Sequence, residues 1–89
     1  MRAVITVVGK DTVGILAKVS MKCSDHQINV VEVTQSILQD MFAMIMMVDI
    51  SASTIPFTEL VDEMMELGQQ NNLVIHCMHE DIFNAMHTI

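Results

Sequence analysis

Gly9-Lys10-Asp11-Thr12-Val13-Gly14-Ile15 joins an apolar run, AVITVV at 3–8, to an amphipathic stretch. The first run is rich in β-branched residues and reads as a strand. The second places Ile15, Leu16, Val19 and Cys23 at helical spacing on one face, with Lys18, Lys22 and Asp25 elsewhere, so a helix runs to about His26. Asp11 or Thr12 is suited to cap it. Two glycines flank a carboxylate where a strand turns into a helix, and such a junction is suited to a small ligand. The free N–H groups of a first helical turn bind anions, and a glycine lets backbone approach where a Cβ would intrude. The structural alternative is that Gly9 ends the strand, Asp11 caps the helix and Gly14 relieves crowding.

Working outward, residues 28–38 alternate as a second strand, with Val31, Val33 and Ile37 on one face and Glu32, Thr34 and Ser36 on the other. Gln39-Asp40 is a tight connection, so residues 41–50 fold back antiparallel. Phe42, Met44, Met46, Val48 and Ile50 share one face of that third strand. Pro56 suits the first turn of a second helix. Phe57, Leu60, Val61, Met64 and Leu67 form its apolar stripe, Glu59, Asp62, Glu63 and Glu66 its solvent side, and Gly68 its stop. Residues 73–78 make a fourth strand and 81–87 a short terminal helix. The order β-α-β-β-α-β predicts one α+β domain over 1–89, the ferredoxin-like split β-α-β arrangement: a four-stranded antiparallel sheet with two helices on one face.

With the helices over Ala3, Ile5, Val7, Val31, Val33, Met44 and Met46, the opposite sheet face carries Val4, Thr6, Val8, Val30, Ile45, Met47, Val74 and Met78. That face is too apolar to be left in water. A partner subunit, the C-terminal segment or both are expected to cover it, which makes the chain a homo-oligomer.

Composition narrows the function. The net charge is −7, and the only Lys and Arg residues are Arg2, Lys10, Lys18 and Lys22, so no basic stripe exists for a nucleic-acid backbone. The longest apolar run, 41–48, falls far short of the about 20 residues of a membrane span. Cys23 and Cys77 lack metal-type spacing and, without a secretion signal, point to a reducing cytoplasm. Half of the chain (52%) is hydrophobic, with ten methionines and three phenylalanines, so the core is aliphatic and adaptable. His76-Cys77-Met78-His79-Glu80 gathers potential metal ligands, but on a strand His76 and His79 point to opposite faces, and neither a metal nor another cofactor is expected. No nucleophile–base pair stands out around Ser20, Cys23 or Ser36, which argues against an enzyme.

The junction Gly9-x-Asp11-x-x-Gly14-Ile15, the strand opening Ile28-Asn29-Val30 and the ending Ile82-Phe83-Asn84-Ala85-Met86-His87-Thr88-Ile89 together resemble the ACT domain, and in particular small stand-alone bacterial and archaeal ACT proteins. The resemblance spans the whole chain. Where many members carry Arg-Pro before the second glycine, this chain has Thr12-Val13. It implies a regulatory module that binds an effector, commonly an amino acid, at the interface of paired modules. Matched position by position, it implicates Asp11, Val13, Gly14, Ile15 and Asn29. Amides around 13–15 could take an α-carboxylate and Asp11 an α-ammonium, while the Asn29 amide donates and accepts at once. A metabolic enzyme is a further possible partner. A ligand-free interaction module is the alternative function, and a metal-binding protein a more distant one.

Overall fold

The computed structural model describes residues 1–10 and 14–86. Its element order is β1 (Arg2–Lys10), α1 (Ile15–Asp25), β2 (Asn29–Leu38), β3 (Met41–Asp49), α2 (Phe57–Gln70), β4 (Leu73–His79) and α3 (Glu80–Met86). The four strands form one antiparallel sheet in the order β2-β3-β1-β4, which is the expected ferredoxin-like arrangement with its short terminal helix. Both edges, β2 and β4, follow from the two split β-α-β halves.

The core lies between the sheet and the α1/α2 layer. Ala3, Ile5 and Val7 of β1 align with Val48, Met46 and Met44 of β3, and all six are buried with Val19, Cys23, Leu60 and Met64 of the helices. Thioether side chains fill the space between aliphatic neighbours, which suits a core with few rings. The helices are tied together at their solvent edge. His26 Nε2 lies 2.9 Å from Glu63 Oε1, and Lys22 Nζ lies 3.6 Å from the same oxygen. Glu63 is therefore a cross-link between the end of α1 and the middle of α2, where amphipathic spacing alone assigned it to solvent.

Three other expectations change. A β-bulge between Val30 and Glu32 shifts the register of β2 against β3. One extra residue reverses the side-chain alternation before it, so Val30 packs against the core and Val31 is exposed. Gly68 does not stop α2, which continues to Gln70. A Cβ at Gly68 would sit 2.7 Å from the Leu73 carbonyl oxygen and 3.1 Å from Ile75 Cγ1, so this glycine lets α2 press onto β4. Pro56 precedes the helix as its N-cap rather than opening its first turn.

Candidate functional site

At the end of β1 the two motif glycines do different things. Gly9 lies within the strand, opposite Phe42 and Leu73. A Cβ there would run into Leu73 Cδ2, the end of a side chain that would have to turn aside, so Gly9 leaves room for Leu73. Gly14 is the N-cap of α1 with φ 80° and ψ 12°, and nothing lies within 4 Å of where its Cβ would be. Its requirement is conformational: side-chain-bearing residues are disfavoured in this left-handed region. The Gly14 carbonyl accepts from Lys18 N at 3.0 Å, starting the helix, and among the described residues no side chain caps it. The cap expected of Asp11 or Thr12 falls on residues outside those described. Asp11 and Val13 themselves lie outside the described residues.

The first-turn amides of Ile15, Leu16 and Ala17 have no acceptor within α1. The Ile15 side chain is buried in the core, which leaves only its backbone to a ligand. One turn on, Lys18 Nζ meets Asn71 Oδ1 at 2.7 Å, and Asn71 Nδ2 donates to the Leu67 carbonyl at 2.8 Å. This link holds the start of α1 to the end of α2 and sets a cation beside the junction. Helical spacing placed Lys18 off the apolar face, and a partner 53 residues on left no signal for this bond.

Asn29 stands elsewhere. It opens β2 opposite Asp49, which is aligned with Arg2 at the start of β1. The Gly14 turn follows Lys10, at the other end of β1. Eight residues of strand rise separate the two ends by about 26 Å. Within one chain, then, the fold does not bring Gly14 and Asn29 together. Asn29 instead borders a polar cleft of about 380 Å³ with Ser20, Ser24, Gln27, Ile28 and Val30. Ser20 and Ser24 are one turn apart on α1 and face β2, a pairing that spacing could have revealed.

The remaining candidates are distributed rather than clustered. His76 lies on the outer sheet face, opposite Thr6, while Cys77 and His79 lie on the helix side, opposite Ile5 and Ala3. His79 stacks on Phe57 with centroids 4.0 Å apart. Both thiols are free, and burial pushes Cys23 up to about 11 and Cys77 up to about 12, the neighbouring Cys23 adding to the latter. Such thiols are protonated at neutral pH and are poor nucleophiles and ligands. Glu63 is held below the usual carboxylate range by its bond from His26, with Lys22 assisting. Among the described residues, no group of three or more His, Cys, Asp and Glu side chains is placed to hold a metal ion, and no helix is long and apolar enough to cross a membrane.

This geometry matches known proteins throughout. Residues 2–78 match the ACT domain family. A UPF0237 protein of Listeria innocua is 48% identical over 89 residues, covering all of both chains. The structure of an ACT domain protein from Streptococcus pneumoniae superposes with a TM-score of 0.81 at 39% identity, covering 98% of each chain. A formyltetrahydrofolate deformylase from Burkholderia mallei shares the fold with a TM-score of 0.76 at 16% identity, and there the match covers 88% of this chain but 28% of that one. The same fold therefore occurs as part of a larger enzyme and, in the Listeria and Streptococcus relatives, over a whole chain of this size. By sequence match and by structure, the chain belongs to the ACT domain family of regulatory modules.

Proposed function

We propose that this protein is a non-catalytic regulatory module that binds an amino acid or similar zwitterion at a site shared by two copies. The observation that carries this reading is the separation of Gly14 and Asn29 together with the open edge of β2. That edge strand carries neither Lys nor Pro, the residues that commonly block pairing. The helix beside it is α1, since α1 packs on β2 and α2 on β4. Antiparallel pairing of β2 with β2 of a second copy sets Asn29 of one chain at the Leu38 end of the other, the end at which the other chain's Gly14 lies. Each copy then supplies half of a site.

In that site the Gly14–Ile15 backbone and Val13 receive the α-carboxylate at the start of α1. Asp11 pairs with the α-ammonium. Asn29 of the second copy, with Ser20 and Ser24 beside it, satisfies the remaining polar groups. Occupancy favours one relative placement of the two copies, and that differential affinity is what a regulated metabolic enzyme could read. Two free thiols suit a reducing compartment such as the cytoplasm.

The test is a thermal melt of the intact protein against a panel of amino acids. We expect one compound or a small group to raise Tm, and the rise to vanish in Gly14→Val and in Asn29→Ala. No shift across the panel would favour the ligand-free interaction module, a reading that the exposed apolar sheet face also supports.

A further inference from the structure

At the Arg2 end of the sheet the chain leaves β3 and climbs to α2 through residues 50–56. Beneath this segment Ile50, Ile55, Phe57 and Leu60, with Ser53 and His79, line a chamber of about 200 Å³ that Met1 also borders. Its roof is a fixed turn. Ser53 N donates to the Ile50 carbonyl at 3.1 Å, Thr54 N to the His26 carbonyl at 3.0 Å, and Ser53 Oγ to the Ile55 carbonyl at 2.9 Å. Its wall is flat, because the His79 ring stacks on Phe57. Protein interiors are close-packed, and the lining of a void forgoes contacts. Among the described residues no buried side-chain N or O lacks a partner, so no buried polar group in the chamber calls for water. An engineered apolar cavity of about 150 Å³ takes up benzene, and this chamber has room for an aromatic ring. Past Met1 and His79 it meets a second, outer cavity of about 520 Å³ among Arg2, Glu80, Asp81 and Ile82.

We propose that the two cavities form one binding site for a small aromatic amine, with its ring in the chamber beside Phe57 and His79 and its ammonium between Glu80 and Asp81. The ring follows from the volume and from the flat aromatic wall, on which another ring stacks. The ammonium follows from the charge of the outer cavity. The Arg2 guanidinium is taken up by Glu80 at 2.7 Å, while the Asp81 carboxylate has no ion pair among the described residues. The uncompensated charge over the cavity is therefore negative, which attracts a cation and repels an anion. Both cavities share Met1 and His79, so a chain of one or two methylenes carries a ligand from one to the other. An α-carboxylate on the same ligand would face Glu80 and Asp81. That disfavours the corresponding amino acid and sets this site apart from the zwitterion site proposed above. The two are also separate in space: Gly14 lies at the other end of β1, and the Asn29 cleft shares no residue with either cavity.

The chain contains no Trp and no Tyr, so a bound indole is read directly by its own fluorescence. Titrating tryptamine with the intact protein should give a saturable rise in anisotropy with one site per chain. Indole-3-propionate, which has the same ring and spacer but an anionic end, should bind at least about tenfold more weakly. Asp81→Asn, at an exposed position of α3, should weaken tryptamine by about three- to tenfold with Tm unchanged. Ile55→Phe puts a ring into the chamber from its half-buried roof and should abolish binding. If that variant melts early, the Asp81→Asn and propionate comparisons still decide. Gly14→Val and Asn29→Ala should bind tryptamine as wild type does, whatever their response to amino acids. Absence of saturable binding at millimolar tryptamine, equal affinity for the propionate, or unchanged affinity in Asp81→Asn would overturn the proposal.

Discussion

The two ends of the sheet are built from different materials. At the Gly14 end the chain works with backbone: Gly9 and Gly68 both lie against Leu73, Gly14 occupies a left-handed turn, and the first-turn amides have no acceptor within α1. At the Asn29 end it works with side chains: Asn29, Ser20, Ser24 and Gln27 border an open cleft. A backbone site selects charge and shape but has little chemistry of its own, while exposed amides and hydroxyls offer recognition without a structural role. In the proposed site, stability and recognition are therefore coupled at the first end and separable at the second.

Substitutions sharpen that contrast, beginning with the most damaging. Gly68→Val drives a side chain into the Leu73 carbonyl and Ile75. It should cost about 3 kcal/mol or more, read by urea denaturation, because backbone cannot yield as a flexible side chain does. Gly14→Ala meets open space but retains the φ of 80°. It should cost about 1 kcal/mol and also weaken the ligand response. A neutral result there would mean that the junction relaxes freely and is no preorganised site.

Glu63→Gln probes the link between α1 and α2, away from both ends. At neutral pH it should cost no more than about 1 kcal/mol, since the pair is partly solvated. The Glu63 carboxyl is held below its usual 4.5 by His26 and Lys22, so its contribution is complete above that value and is lost as pH falls through the lowered one. Wild type and variant should therefore converge in stability at acid pH, and a gap that widened instead would contradict the link. Smallest is Asn29→Ala, exposed at the start of β2, which should change stability by less than about 0.5 kcal/mol while removing the ligand response.

Much of this was legible in the sequence because strand alternation, helical spacing and connection rules agree with one another. The β-branched run before Gly9, the stripe from Leu60 to Met64 and the turn at Gln39-Asp40 each point to the observed element. Val30 and Val31 were not legible: both are valine, and a bulge exchanges their faces without a compositional trace. Glu63 looked solvated because its partners, Lys22 and His26, are distant in sequence. The glycines of the motif were identified, but their roles were exchanged. Crowding arises at Gly9 through Leu73, a contact 64 residues away, and the conformational demand falls on Gly14. The separation of Gly14 from Asn29 follows from strand direction alone, yet a linear motif gives no hint of the meeting of two copies proposed above.

Complementation tests that meeting directly. Gly14→Val and Asn29→Ala protomers, each unresponsive alone, are mixed, dissociated and reassembled, and ligand stoichiometry is measured by calorimetry with the amino acid found in the melts. Random pairing about a two-fold gives mixed dimers in which one site carries both lesions and the other carries none. We predict recovery of about one site in four at wild-type affinity. A mixture as inactive as either parent would contradict a site built from two copies.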